Sequence, residues 1–451
     1  MTQDHLPVRV PLARERRGFL HVLAQARRNA LAIIPEIATQ QPIVSGKMVR
    51  RFHMVMDPES LRNILKDRAD DYPKSPEALN ILRPALGSGL FSAIGEHWRW
   101  QRRAAAPVFT RRNVEQLTPV MTEAAQAAVT RLGAQAADGP VDMAAEMLRT
   151  AFEVIAAVTF SHKTGIPRDL AHRAIENYLT GAGRVSLFDF LGLPDWVPRP
   201  DRLVPASELR RLKRAADDAI DAHAARALDE VPDLLDLLID AQDPETGRRM
   251  TTPELRDNLL TMLVAGHETT ALALSWSFYL CAFDTDVQER ARAEAHEVLN
   301  GRIATGDDVV NLPYTRQIVE EAMRLYPPAG FLSRTATAPD MLQDREVLPG
   351  DTIMLPIYAL HRNRLWWTDP DRFDPDRFED PRAIDPFAYL PFGGGPRICL
   401  GMSFAMQETV IVLSTLLSRF RFTPVPGRVP EPVLILSLRP GGGVWLNLEP
   451  I

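Results

Sequence analysis

The sequence predicts a mainly α-helical protein with small β-sheets, folded as one large domain. Apolar residues recur at helical spacing through most of the chain, while short apolar runs broken by Pro and Gly occupy few places. No Gly/Ser-rich linker, internal repeat or low-complexity tract divides the 451 residues, and the 37 prolines are dispersed. Length alone would suggest two or three domains. Without a visible boundary, we expect residues 1–451 to form a single domain.

Helical spacing is clear in five segments, and strand-like runs occur in three places. The helices are predicted over 117–132, 143–160, 209–228, 253–283 and 404–420. Short strands are predicted over 43–56, over 346–356 and in the last twenty-odd residues, where Pro and Gly punctuate the apolar runs. The sheets are therefore expected to be minor parts of the fold.

Composition and charge exclude several classes of protein. A hydrophobic content of 45% and a charged content of 24% are ordinary for a soluble globular protein. A net charge of −6, without a concentrated basic surface, argues against a nucleic-acid partner. Two cysteines in the whole chain fit a reducing compartment, so we expect a cytoplasmic location.

Residues 1–38 carry repeated arginines and form a basic amphipathic segment that we expect to be peripheral. No apolar run there approaches the ~20 residues of a membrane span, so we expect no transmembrane anchor. Two interpretations stay open for this segment. It either lies on a membrane surface or packs on the domain as a solvated helix, and the second is the commoner outcome.

The most informative stretch is a glycine-rich turn containing a cysteine, Phe392-Gly-Gly-Gly-Pro-Arg-Ile-Cys399-Leu-Gly401. With Cys281 as the only other cysteine, neither a disulfide framework nor a Cys-x-x-Cys zinc site competes for Cys399. Haem accepts a single thiolate ligand, glycines let the backbone approach a flat ring, and Arg397 offers a cation for a propionate. The alternative is a buried structural cysteine in a turn before a helix.

Five residues of this stretch fit the pattern Phe-x-x-Gly-x-Arg-x-Cys-x-Gly, on which the chain resembles the cytochrome P450 family of haem-thiolate monooxygenases. The resemblance implies one fold that holds haem b between a long central helix and the Cys-bearing loop. It implies Cys399 as the iron ligand. The other residues that it places beside the cofactor are Phe392, Gly395, Arg397, Ile398 and Gly401.

The long central helix is predicted to begin at Thr252-Pro253-Glu254, with a proline and an acid in its first turn. From 259 to 283 it is apolar almost all round and would rise ~37 Å, which by itself indicates a transmembrane helix. However, the polar stretch 266–270 lies in the middle, where ionisable groups are costly in lipid. A buried helix through the centre of a domain explains both features.

Residues 265–270 match the oxygen-binding segment of the P450 family. The resemblance places Ala265 and Gly266 beside the haem and gives proton delivery to Glu268 and Thr269, with His267 in a structural role. Splitting dioxygen needs two protons in a pocket that otherwise excludes water. A threonine bonded to the carbonyl one turn back can also open the helix. The alternative is a kinked core helix with incidental polar residues.

A second helix carries Glu321-Ala-Met-Arg324, whose charged residues share a face and can pair. The spacing alone is weak evidence, because it recurs at Glu289 and Arg292. The resemblance implies that Glu321, Arg324 and Arg377 form a buried structural network near the haem. Removal of one member would leave buried charge uncompensated, at a cost of ~3–5 kcal/mol.

Cations for the haem propionates come from three parts of the chain. Trp98 and Arg102 are four residues apart on one helical face. The resemblance implies that these two residues, together with Arg334 and Arg397, contact the propionates. Each is weak evidence singly, because surface arginines are common.

The implied reaction inserts one atom of O2 into a lipophilic organic substrate, with hydroxylation of a fatty acid, terpenoid or steroid expected. The segment 327–378 resembles the fatty-acid-oxidising branch of the family. We expect the pocket to draw on the loop 75–91, the helix around Val264 and Ala265, the turn 329–332 and a carboxyl-terminal hairpin near 434–438. Residues 187–196 are expected to form part of a lid. The alternatives are a peroxide-driven haem oxygenase, a type that lacks the acid-alcohol pair, and a haem sensor or carrier without turnover.

Electrons are expected from outside the chain, because no flavin or iron-sulfur cysteine pattern is present. A ferredoxin or flavodoxin with its NAD(P)H-dependent reductase is the expected donor. Four arginines offer either a docking patch for an acidic donor or an ordinary solvated surface: Arg99, Arg103, Arg111 and Arg112.

Overall fold

The computed structural model describes residues 6–14, 25, 28–47, 50–160, 206–224 and 232–451, and it is mainly helical. All five predicted helices are present, with ends that differ by up to six residues. The described helices are α1 (Pro58–Arg62), α2 (Pro76–Leu86), α3 (Gly95–Ala105), α4 (Arg111–Ala136), α5 (Met143–Phe160), α6 (Ala206–Ala224), α7 (Leu234–Asp240), α8 (Thr252–Phe283), α9 (Thr285–Leu299), α10 (Pro313–Leu325), α11 (Ile357–Leu360) and α12 (Met402–Leu417).

The sheets are small, as predicted. The strands are β1 (Ile43–Lys47), β2 (Arg51–Val55), β3 (Val141–Asp142), β4 (Leu332–Thr335), β5 (Asp340–Leu342), β6 (Arg345–Val347), β7 (Thr352–Leu355), β8 (Phe420–Pro424), β9 (Glu431–Leu434), β10 (Leu438–Gly441) and β11 (Trp445–Pro450). One sheet has the order β1-β2-β7-β4 with β2 parallel to β7, and another has the order β3-β11-β8. The pairs β5-β6 and β9-β10 are antiparallel hairpins.

Helix α8 is the centre of the fold and begins where the sequence predicts. Thr251 and Glu254 form a reciprocal capping box, and proline occupies the first turn. The helix packs against α5, α6, α10 and α12, which explains why it is apolar nearly all round. Among the described residues, no helix combines the length and the hydropathy needed to cross a bilayer.

The described parts of residues 1–38 pack closely on the domain. Val8 donates its amide to the Tyr279 hydroxyl (3.0 Å) and accepts the Tyr326 hydroxyl at its carbonyl (2.6 Å). Val10 donates its amide to the hydroxyl of Tyr358 (3.3 Å). Further along, the side chains of Leu31, Ile34 and Ala38 are fully buried in the core. In these parts the segment is less peripheral than its basic composition suggests.

The hairpin formed by β9 and β10, called the C-terminal hairpin below, is bonded to three other parts of the chain. Leu438 donates its amide to the carbonyl of Pro328 (3.0 Å) and accepts the indole N–H of Trp276 (3.0 Å). Asn29 bonds to the backbone of Pro432 and Leu434 (2.8 and 3.0 Å). These bonds hold the hairpin against α8 and against the turn that follows α10.

Candidate functional site

The Cys-bearing loop has a backbone that requires glycine at one tight point. Gly395 has φ +66°, and a Cβ built there would lie 1.9 Å from the carbonyl oxygen of Leu65. Gly393 also has a positive φ, +73°, but has open space around it. The loop is closed by the amide of Cys399, which donates to the carbonyl of Phe392 (3.0 Å). The glycines therefore fix the path of the chain that presents the cysteine.

The two cysteines of the chain lie in different surroundings. Cys281 is fully buried in α8, and burial raises the pKa of its thiol far above the usual range, so it is an inert packing residue. Cys399 is exposed, yet it lies in an enclosed recess, and burial raises the pKa of its thiol. The amide of Gly401, which bonds to the sulfur, and the guanidinium of Arg102 act in the opposite direction.

Several cations converge near the Cys-bearing loop. Arg397 stacks on the ring of Trp98 (4.1 Å to the ring centroid) and donates both Nη atoms to the carbonyl of Ala93. Burial lowers the pKa of Arg397 and of Arg334 to about 10. Burial also lowers the pKa of Arg102. The structure thus brings together all four residues expected at the propionates.

Lys74 belongs to the same group and was not found from the sequence. It pairs with Arg334 in an isolated β-bridge, and its Nζ lies over the ring of Phe91 (3.8 Å). Burial lowers the pKa of Lys74 well below the usual range, and Arg334 and Arg397 lower it further. Among the described residues, no carboxylate forms an ion pair with Lys74, Arg334 or Arg397. The cluster therefore fits a ligand that carries carboxylates of its own.

The middle of α8 has an accessible face although both flanks are buried. Ala265 is exposed and Gly266 and Thr269 are partly exposed, which places these three residues on one accessible face of the helix. The hydroxyl of Thr269 donates to the carbonyl of Ala265 (2.7 Å), the bond one turn back that the sequence analysis anticipated. A Cβ at Gly266 would approach Ile155 Cδ1 at 3.3 Å, so this glycine also permits close packing of α5. His267 is buried with its ring edge-on to Phe152.

Glu268 points to the C-terminal hairpin and is 6% exposed. Its Oε1 accepts the hydroxyl of Ser437 (2.6 Å) and lies 2.5 Å from both Nε and Nη2 of Arg439. The sequence analysis did not anticipate these two partners, because nothing in the local pattern links the last strands of the chain to the middle of α8. Glu268 and Thr269 are adjacent in sequence but make their hydrogen bonds in different directions.

The predicted network of Glu321, Arg324 and Arg377 is assembled below the Cys-bearing loop. Glu321 and Arg324 are fully buried and joined by two short bonds, 2.6 and 2.7 Å. Arg377 Nε lies 3.5 Å from Glu321 Oε1, while its Nη atoms donate to the carbonyls of Thr368 and Asp369. Arg377 is thus an ion-pair partner of Glu321 whose hydrogen bonds go to the backbone.

His361 connects this network to the Cys-bearing segment, and the sequence analysis did not single it out. Its Nδ1 lies 3.2 Å from the carbonyl of Arg324, and its Nε2 accepts the amide of Leu390 (2.8 Å). Burial lowers the pKa of His361 to about 3, with the neighbouring charge of Arg324 as the second cause. The ring is therefore neutral at pH 7, which matches a donor at Nδ1 and an acceptor at Nε2.

Comparison with known proteins agrees with this site. A model of the cytochrome P450 family matches residues 37–446. Cyclooctatin synthase of Streptomyces melanosporofaciens is 32% identical over 431 residues, which cover 93% of this chain and 91% of that protein. Cyclooctat-9-en-7-ol 5-monooxygenase of the same organism is 32% identical over 418 residues, which cover 90% and 88%.

A solved structure, that of the cytochrome P450DA haem domain, shows the same fold with a TM-score of 0.82. The match covers 99% of this chain and 98% of that one at 24% identity. The family binds haem through a cysteine thiolate, and its members act as monooxygenases. The predicted fold, cofactor and enzyme class are therefore confirmed. The family model and the relatives agree with the central helix α8, the Cys-bearing loop and the buried Glu-Arg-Arg network. The chain therefore belongs to the cytochrome P450 family.

Proposed function

We propose that this monooxygenase hydroxylates a lipophilic substrate with electrons from a separate donor protein, and that Glu268 and Thr269 supply the protons. The observation that carries the proposal is the accessible face of α8, where Ala265, Gly266 and Thr269 are exposed or partly exposed in the middle of a largely buried helix. A sensor or carrier has no need for an acid-alcohol pair at this position.

The residues of the site fit haem. The thiol of Cys399 is accessible, and the buried cations lack carboxylate partners among the described residues, as a ligand with two propionates requires. Bound haem would supply the activation of dioxygen. We assign Cys399 as the iron ligand, and we assign to the cofactor's surroundings Trp98, Arg102, Ala265, Gly266, Arg334, Phe392, Gly395, Arg397, Ile398 and Gly401.

The two polar residues of α8 are assigned separate tasks. Thr269 presents a hydroxyl on the accessible face of α8, held by the carbonyl of Ala265, and would hold a proton there for delivery to the cofactor's side of the helix. Glu268 exchanges protons with solvent and supplies them to this position. The apolar packing of α8 against α5 keeps bulk water out, which limits proton leakage.

The substrate pocket is assigned to the accessible face of α8, the segment 75–91, the turn 329–332 and the C-terminal hairpin. Segment 75–91 is less loop-like than expected, because α2 occupies most of it. Leu434 packs on Gly330, which joins the hairpin to the turn. The expected lid at 187–196 lies outside the described residues. The name of one relative, cyclooctat-9-en-7-ol 5-monooxygenase, describes oxidation of an unsaturated alcohol, which supports a lipophilic substrate.

A ferredoxin or flavodoxin with its reductase stays the predicted electron donor, and a cytoplasmic location stays a prediction. The arginine patch gives this donor little support. Arg99 pairs with Asp70 and Glu96, Arg103 with Asp243, and Arg111 with Glu115. Because most of its positive charge is locally neutralised, the ordinary solvated surface is the better interpretation of these arginines.

Ligation and turnover test the proposal separately. Reduction of the protein under carbon monoxide should give the Soret band of thiolate-ligated haem. A band at the position of histidine-ligated haem would contradict the assignment of Cys399 as the iron ligand. Turnover with NADH, ferredoxin and ferredoxin reductase should then form hydroxylated product.

The proton relay is tested by the yield of product per electron. Thr269→Ala should divert electrons into hydrogen peroxide, whereas Thr269→Ser, which keeps the hydroxyl, should retain most of the coupling. Full coupling in Thr269→Ala, together with efficient turnover on added peroxide alone, would favour the peroxide-driven alternative.

A further inference from the structure

The C-terminal hairpin places three donor atoms on a single oxygen of Glu268. Ser437 Oγ and Arg439 Nε both donate to Oε1, and Arg439 Nη2 lies 2.5 Å from the same atom. The second oxygen, Oε2, forms no hydrogen bond with the described residues. The carboxylate is thus fixed on one side and left available on the other.

The part of the C-terminal hairpin that carries these donors is held rigidly. Leu438 lies between Ser437 and Arg439, and its amide and carbonyl are both bonded, to Pro328 and to Trp276. Arg439 pairs with Val433 in the antiparallel register of the hairpin. Since Trp276 belongs to the same helix as Glu268, the positions of donors and acceptor are set by one packed unit.

Hydrogen bonds to one oxygen of Glu268 can control how this residue carries protons. A carboxylate with free rotation would sample several positions, whereas bonds to one oxygen restrict it to a single rotamer. The carboxylate is then held in one place, with its second oxygen available to exchange a proton with the next group.

We propose that Arg439, assisted by Ser437, is a positioning residue that sets the orientation of Glu268 for proton transfer. The inference rests on the proposed function, because it presumes that Glu268 supplies protons. Arg439 acts through Glu268. It extends the proton-delivery apparatus from α8 to the last hairpin of the chain.

The first test measures coupling in Arg439→Met, Arg439→Lys and Ser437→Ala. In Arg439→Met, peroxide formed per product should rise on the order of tenfold, a part of the 10²–10⁴ that positioned acid-base groups contribute. The solvent isotope effect on turnover should rise with it. Arg439→Lys should recover much of the coupling because it keeps the charge, and Ser437→Ala should show a smaller loss.

A matched control is Arg428→Met, in the same region of the chain. Arg428 stacks on Trp445 (4.3 Å to the ring centroid) and forms no ion pair with the described residues. Its removal should leave coupling and the isotope effect at wild-type values. If Arg439→Met does not fold, Arg439→Lys and Ser437→Ala still test the proposal, because each removes part of the donor set.

The second test reads the hydrogen bonding of Glu268 without turnover. Infrared spectra of the substrate-free wild type, with those of Glu268→Gln subtracted, identify the band of this residue. In Arg439→Met the frequency of this band should shift, because Oε1 loses the donors that Arg439 provides. A merely structural arginine would lower the melting temperature but leave both this band and the coupling unchanged, and that result would overturn the proposal.

The two proposals fail in different ways. If Glu268→Gln keeps full coupling, the relay assigned to Glu268 is wrong and the role of Arg439 falls with it. If Glu268→Gln uncouples turnover while Arg439→Met does not, only the role of Arg439 is wrong.

Discussion

Arg324 lies fully buried against Glu321 in a two-pronged ion pair, with Nε 2.6 Å from Oε2 and Nη2 2.7 Å from Oε1. The other bonds of the guanidinium go to backbone carbonyls of His361, Pro370 and Arg372. Glu321 in turn accepts the amide of Asp374. One pair of side chains therefore joins α10 to the whole segment that leads to the Cys-bearing loop.

Loss of either member of this pair should unfold the segment. Arg324→Leu leaves the carboxylate of Glu321 buried without its partner, so we expect the free energy of unfolding to fall by about 3–5 kcal/mol and haem content to drop. The control on the same helix is Arg316→Ala, whose pair with Glu320 is exposed on the arginine side and should cost at most about 1 kcal/mol. Chemical denaturation and haem absorbance measure both, and equal losses would contradict the prediction.

The two left-handed glycines of the Cys-bearing loop should differ in their tolerance of alanine. Gly393→Ala should lower the free energy of unfolding by about 1–2 kcal/mol, from the strained backbone conformation alone, because the space around it is open. Gly395→Ala has the same backbone strain and also places Cβ against the carbonyl of Leu65, so the loop or the segment 63–67 must move. Thermal melting and haem affinity should be more strongly reduced in Gly395→Ala, and similar values would count against a close contact.

Lys74→Met should have opposite effects on the protein with and without haem. Without the cofactor, removal of a desolvated ammonium beside Arg334 and Arg397 relieves repulsion, so the melting temperature should rise. With the cofactor, loss of a cation should weaken haem retention, measured as the rate of haem transfer to an acceptor protein. The control is Lys213→Met, at a lysine that caps the exposed carbonyl of Pro84. If the melting temperature of the haem-free protein and the retention of haem both fall, Lys74 serves packing alone.

Stability should decline in acid because His361 resists protonation. The unfolded ring has a pKa near ~6.5 and the folded ring one of about 3, so the unfolded chain binds the extra proton between these values. This contribution to stability is present above pH ~6.5 and is lost as the pH falls toward about 3, at up to about 1.4 kcal/mol per pH unit.

His361→Gln isolates this contribution, because glutamine can donate to the Arg324 carbonyl and accept from Leu390. Its unfolding free energy should depend on pH less steeply than that of the wild type, by up to one proton, between about pH 6 and about pH 4. The carboxylates titrate in both proteins and cancel in the comparison. Parallel curves would show that the buried ring takes up its proton without unfolding.

The features that were predictable from sequence are those with a local pattern. The start of α8 has its cap and proline within four residues, and the Glu321 and Arg324 pair lies on one turn of helix. The turn before Cys399 follows from its glycines. A local signal is also present at Ser75, whose side chain caps α2 ahead of Pro76. The helix there was therefore predictable, although the sequence analysis predicts a loop.

The residues that were missed depend on contacts between distant parts of the chain. Arg439 reaches Glu268 across 171 positions, and Lys74 meets Arg334 only where two separate segments form a bridge. His361 matters because its ring lies between a carbonyl of α10 and the amide of Leu390. No periodicity or motif near these residues encodes such pairings, since the tertiary fold creates them.

The attachment of segment 6–14 to three tyrosines has a consequence for the order of folding. Val8 and Val10 bond to hydroxyls that lie 271, 318 and 348 positions further along the chain. During synthesis these valines emerge from the ribosome well before their partners, which are incomplete until Tyr358 has been added. Closing loops of this length is slow compared with local helix formation. Residues 6–14 are therefore among the last to acquire their native neighbours.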